Sequence, residues 1–144
     1  MKKILIVDDN IEYLSLLADC LNKDFETYKA SGVKSALCVL ENTSIDLVCS
    51  DYFMGDGTGL DLLEELRKNN VDNNIPFVIM SGSEDARIVS MSTKRGAIFC
   101  SKTHPDLLSV IKRAANIEDQ KDVYKRQGDI RNDRTRWQNL SSGR

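Results

Sequence analysis

Apolar residues fall along the chain in two alternating rhythms. Lys3–Val7 is a nearly continuous aliphatic run, the composition of a strand buried on both faces. Behind it, Ile11, Leu14, Leu17, Ala18 and Leu21 recur at helical spacing, and Asn10 stands where a side chain can accept the first free amides. The pair of patterns then repeats. Strands are predicted at residues 25–30, 45–50, 76–80 and 97–100, and helices at 31–42, 59–68, 84–94 and from 105 to about 116. Ser31 is the expected cap of the second helix. Pro105 is the expected first residue of the fifth, where its missing N–H costs nothing. Strict β–α alternation with short connections predicts right-handed crossovers. The fold class is therefore α/β, a doubly wound five-stranded parallel sheet covered by helices on both faces.

Both rhythms stop near residue 117, which divides the 144-residue chain into a domain at 1–117 and a tail at 118–144. The domain carries 13 basic and 17 acidic side chains and the tail 7 and 5, so the net charge of −2 joins an acidic domain to a basic tail. The tail, with Ile130, Trp137 and Leu140 scattered through it, reads as linker, disordered chain or a remnant of gene assembly. It shows no helix-turn-helix pattern, and the domain has no global basic field, so residues 1–117 are expected not to bind nucleic acid. The apolar run after Met1-Lys2-Lys3 is stopped by Asp8-Asp9, too soon for a signal peptide or a membrane span. A cytoplasmic location is expected. Cys20, Cys38, Cys49 and Cys100 form no CxxC pair and sit in predicted helices or strands, which suggests four reduced core thiols. His104 has no partner at metal-ligand spacing and is expected to be exposed.

Candidate chemistry enters by position. Asp8 and Asp9 follow the first predicted strand, Asp51 the third, Ser81 the fourth and Lys102 the fifth. Open α/β sheets place ligands beyond these strand ends, where strand order reverses. In a 2-1-3-4-5 order the first and third strands are neighbours, so Asp8, Asp9 and Asp51 would converge. Two unit charges at roughly 4 Å repel by about 4 kcal/mol at an effective dielectric near 20, so such a cluster takes up a proton or a cation. Hard oxygen donors without His or thiolate suit Mg²⁺. A nearby Lys to pair with an anion and a Ser to donate to it complete a set fitted to phosphoryl transfer onto a carboxylate.

The string Ile4-Leu5-Ile6-Val7-Asp8-Asp9-Asn10, then Asp51-Tyr52-Phe53-Met54, Gly59, Ser81-Gly82 and Lys102, resembles the receiver domain of two-component response regulators, the chemotaxis regulators among them. The resemblance runs over about residues 2–117 and implies a flavodoxin-like (βα)5 sheet in the order 2-1-3-4-5. It implies that Asp51 is the phosphoacceptor, charged from a sensor histidine kinase or a histidine phosphotransfer protein. Asp9, Asp51 and the backbone carbonyl of Phe53 would ligate Mg²⁺, with Asp8 acting through water. Lys102 would pair with the phosphoryl group, Ser81 would donate to it, and Phe99 would be the switch side chain. The implied activity is confined to the domain's own aspartyl phosphorylation and dephosphorylation. The output would pass through the fourth helix, fifth strand and fifth helix to a protein target, and the same face could carry a phosphorylation-dependent homodimer.

The chain departs from the family pattern in places. Gly55 replaces a Pro four residues after the acceptor, so residues 55–59 are expected to be mobile. Thr103 replaces the Pro after Lys102, where the family's peptide bond is often cis, and the segment from Gly96 to Lys102 is one residue short, which touches the placement of Phe99. Phe53 cannot orient a hydrolytic water as an amide could, so slow self-dephosphorylation is expected. Rival readings fit less well. Asp56-Gly57-Thr58 resembles part of a haloacid-dehalogenase-type phosphatase motif, but Met54 stands where its nucleophile belongs. Gly57-Thr58-Gly59 suggests a nucleotide loop, but Leu62 replaces the third glycine. A phosphorylation-independent interaction module of receiver fold is the alternative from a different class.

Overall fold

Alternating side chains of the central strands divide the core into two layers. The structure, a computed structural model, describes residues 1–69 and 74–116. Its elements are β1 (Lys3–Val7), α1 (Ile11–Leu21), β2 (Glu26–Ala30), α2 (Val33–Asn42), β3 (Leu47–Asp51), β4 (Phe53–Met54), β5 (Gly57–Thr58), α3 (Gly59–Asn69), β6 (Phe77–Ser81), α4 (Ala86–Lys94), β7 (Ile98–Ser101) and α5 (Leu107–Ala115). Ile4 and Ile6 face α1 and α5, packing with Leu14, Leu17, Leu21, Val110 and Ile111. Leu5 and Val7 face the opposite way, into a layer with Ala36, Leu62, Leu63 and Ile88 from α2, α3 and α4. Helices therefore cover both faces.

The five-stranded sheet runs β2-β1-β3-β6-β7, all pairs parallel. With the two-residue strands β4 and β5 set aside, this is the expected 2-1-3-4-5 order. All five residues of both β3 and β6 are buried, the polar Ser50, Asp51 and Ser81 among them, whereas edge strand β2 is largely accessible. Ladder pairing continues past the last apolar residue of three strands. Asp51 pairs with Met80, and Ser81 with Ser101. Asp51 and Ser81 are thus final strand residues rather than loop residues, because backbone hydrogen bonds set a strand's end and side-chain polarity does not.

Several local expectations are corrected. The cap of α2 is Gly32, and Ser35 Oγ instead accepts from the Ser31 and Gly32 amides, at 3.2 and 3.1 Å. Pro105 lies in the turn before α5. His104 Nδ1 accepts from Asp106 N at 3.0 Å there, and the imidazole is half-buried. Cys20 and Cys38 are exposed, because they lie off the buried stripes of their helices, while Cys49 and Cys100 are buried. All four are free thiols, and burial pushes Cys49 and Cys100 above the usual thiol range. No peptide bond is cis among the described residues, so Lys102-Thr103 is trans. The boundary at 117 and the tail at 118–144 lie outside the described residues.

Gly59 marks a close backbone-to-backbone approach at the sheet's C-terminal edge. Its amide donates to Tyr52 O at 2.8 Å, and a Cβ there would sit 2.8 Å from the backbone oxygen of Asp51. Gly59→Ala must push α3 away from the end of β3. The expected cost is about 1–3 kcal/mol of stability, measured by urea unfolding.

Candidate functional site

Asp8 leaves β1 fully buried, and its backbone turns directly into α1. Its Oδ1 accepts from Asn10 N at 2.9 Å, and Asn10 Oδ1 in turn accepts from Tyr13 N at 3.1 Å, capping the helix as expected. Asp9 is exposed beside it. Asp51, at the end of neighbouring β3, directs Oδ1 to its own next amide, Tyr52 N, at 2.9 Å. Carboxylate oxygens of Asp8, Asp9 and Asp51 all lie within 4.8 Å of one another. The convergence expected from strand order is present.

Lys102 holds the cluster together. It follows β7, where its amide donates to Ser81 O at 2.8 Å. Its Nζ lies 2.7 Å from Asp8 Oδ2 and 3.3 Å from Asp51 Oδ1. The ammonium also sits over the Tyr13 ring, 4.5 Å from the centroid, a cation–π contact. Burial pushes the Asp51 carboxyl above its usual range, the Asp8 charge adds to that, and Lys102 only partly offsets both. For Lys102, burial favours the neutral amine, but hydrogen bonding and charge from Asp8 and Asp51 outweigh it and raise the pKa. Desolvation is also the main reason the Tyr13 hydroxyl is pushed up to about 12.

Ser81 is buried at the end of β6, its hydroxyl oxygen accepting from Ser83 N at 3.2 Å. Phe99 lies in mid-strand opposite Ile79, buried in the apolar layer under α2, α3 and α4. The short segment after Gly96 is accommodated because Gly96 takes a positive φ of 86° and Ala97 N donates to Ser92 O at 3.0 Å. Phe53 is 62% exposed, its ring edge-on to Tyr52 at 4.7 Å. Residues 55–59 are tied down rather than loose. β4 and β5 pair antiparallel, and Thr58 and Asp61 bond reciprocally, Thr58 N to Asp61 Oδ2 at 2.9 Å and Asp61 N to Thr58 Oγ1 at 3.2 Å.

Two contributors escaped the sequence reading. Tyr13 lies in the first turn of α1, directly after Asp8, Asp9 and the Asn10 cap, and that nearness in sequence was its available signal. Asp56 reaches the N-terminus of α2, with nothing in the local pattern to announce it.

The donor set suits a hard divalent cation. Its oxygens are all carboxylate, two of the three acids are buried, and one ammonium leaves most of their charge uncompensated.

The response regulator receiver domain family matches residues 4–123, and the chain belongs to it. Among relatives, the two-component response regulator EHD1 of Oryza sativa subsp. indica is 37% identical over 100 residues, 66% of this chain and 28% of EHD1. A response regulator receiver domain protein from Clostridium thermocellum superposes with a TM-score of 0.74 at 28% identity, covering 83% of this chain and 98% of that one. The Thermotoga maritima response regulator TrrA, solved in complex with Mg²⁺ and BeF, gives 0.69 at 26% identity, covering 79% and 99%. The chain spans 9%, 39% and 28% of the length of three curated relatives it matches. Among the described residues, no helix is long and apolar enough to cross a membrane.

A pH dependence follows from the raised Asp51 pKa. The folded state holds this proton more tightly than the unfolded chain, so ionisation costs stability as pH climbs above the ordinary carboxylate range, about 4. Asp51→Asn removes that cost. The variant is expected to be more stable than the parent at pH 7 without added cation, with the advantage shrinking as pH falls toward about 4 and gone below it. Urea unfolding across that range checks it.

Proposed function

We propose that Asp51 accepts a phosphoryl group from a phosphohistidine on a sensor histidine kinase or a histidine phosphotransfer protein. The observation that carries this is the Asp51 carboxylate at 3.3 Å from the Lys102 ammonium, within a cluster of three acids fitted to a divalent cation. Tyr52 N and Lys102 engage Oδ1, and Oδ2 has no hydrogen-bond partner among the described residues. Oδ2 is the proposed nucleophile. Its lone pair forms the new P–O bond, the P–N bond breaks, and that electron pair returns to the donor's imidazole.

Mg²⁺ would be held by Asp9, Asp51 and the Phe53 backbone carbonyl, with Asp8 acting through water, and it would neutralise charge on the phosphoryl oxygens. Lys102, kept protonated by its raised pKa, pairs with the transferred group while Asp8 anchors it. Ser81 donates its hydroxyl to a phosphoryl oxygen. Because that hydroxyl also accepts from Ser83 N, drawing it inward pulls on the segment leading to α4. Space then opens for Phe99 to reorient, which biases the α4–β7–α5 face between two states. A protein target or a second copy of the chain would read that face. The domain acts on no other substrate, and we place it in the cytoplasm with its phosphodonor.

Acetyl phosphate with Mg²⁺ is expected to add one phosphoryl group to the parent, by intact mass, and none to Asp51→Asn or to either protein in EDTA. No gain in the parent would overturn the acceptor reading and favour a phosphorylation-independent module. The phosphorylated form is expected to be long-lived, since an exposed Phe53 offers no hydrogen bond to an attacking water. Phe53→Asn should speed phosphate loss by about tenfold or more, followed by mass against time.

A further inference from the structure

The ribbon that carries Phe53 is too small to hold itself. β4 and β5 contribute two residues each, Gly55 and Asp56 form the turn between them, and a two-stranded ribbon alone is marginal in water. Its tip is fastened from outside. Asp56 Oδ1 accepts from Val33 N at 2.9 Å and Oδ2 from Lys34 N at 3.0 Å, the first amides of α2. A helix leaves such amides without intrahelical partners, and the Gly32 cap has no side chain to offer. The carboxylate also fits sterically, since a Cβ on Gly32 would fall 2.6 Å from Asp56 Oδ1. Its negative charge complements the positive end of the helix, and the two amides hold its carboxyl below the usual range. At the ribbon's other end, the Thr58–Asp61 pair fixes it to α3. The ribbon is therefore strung between two helices, and it begins two residues after Asp51.

We propose that Asp56 is a positioning residue for the divalent-cation site: by capping α2 it fixes the ribbon, and with it the Phe53 backbone carbonyl, relative to Asp51. This rests on the acceptor-site reading above. Mg²⁺ demands near-octahedral geometry, so a ligand carried on a loosened ribbon binds it more weakly. Gly55 makes the contact necessary, because a glycine in the turn leaves the tip without backbone stiffness of its own.

Titration calorimetry with MgCl₂ on the full chain tests this, alongside amide hydrogen exchange without metal. Asp56→Ala is expected to weaken Mg²⁺ binding about tenfold, the scale of losing a residue that supports a ligand. Gly32→Ala, which displaces Asp56 from the opposite side, should do the same, while Asp56→Asn, which keeps one acceptor oxygen, should lose less. Adding Gly55→Pro to Asp56→Ala should restore most of the affinity, since Pro suits the first central position of a turn and stiffens it. Wild-type affinity in Asp56→Ala, with faster exchange at Val33 and Lys34, would make Asp56 a helix cap only and overturn the proposal. Failure of Gly55→Pro to restore binding would overturn it as well, by tracing the loss to α2 itself. If the parent binds no Mg²⁺, the acceptor-site reading falls and takes this inference with it.

Discussion

The Lys102 ammonium lies 2.7 Å from one oxygen of Asp8 and 3.3 Å from one of Asp51, and the C-terminal edge of the sheet depends on it. Asp8 is fully buried, and its Oδ2 has no other partner among the described residues. A carboxylate so placed, without a counter-charge, would cost several kcal/mol. The lysine follows β7, which β6 and β3 separate from β1, and its long side chain brings the ammonium to both acids and over the Tyr13 ring. One positive charge against three negative ones gathers the acids without neutralising them. That imbalance leaves a donor set suited to a hard divalent cation.

Strand order turns this local balance into a site. In a parallel sheet every strand delivers its last residue to the same edge, and the reversal between β1 and β3 leaves a crevice there. Asp51 and Ser81 remain inside the hydrogen-bonded ladder, so their backbones are fixed by pairing with Met80 and Ser101. Asp9, Phe53 and the segment after Ser81 lie outside it. Residues whose backbones the ladder fixes thus stand beside residues held by other contacts. Helices α1 and α2 begin at this edge too, one capped by Asn10 from its own chain segment and the other by Asp56 from across the crevice.

Asp8, Asp9, Asp51, Ser81 and Lys102 were legible in the sequence because each follows an apolar run, and such runs end at one edge of a parallel sheet. The layers were legible for a related reason: period-two strands and helical stripes state which residues are buried. Cys20 and Cys38 were misplaced because residence in a helix does not say which side a residue faces, and their helices bury only a narrow stripe. The Gly55 turn was expected to be loose because glycine freedom is a local property. The contact that restrains it comes from a helix more than twenty residues earlier.

By itself, then, the sequence determined the alternation of strands and helices, the apolar layers and the set of polar residues at the strand ends. Periodicity and local propensity carry that information along the chain. Only the tertiary structure decided that Lys102 bridges Asp8 and Asp51, that Tyr13 backs it, that Asp56 caps α2, and that Phe99 is buried opposite Ile79. Each of these depends on distances between segments far apart in sequence, which the packing of the helices and the register of the strands set together.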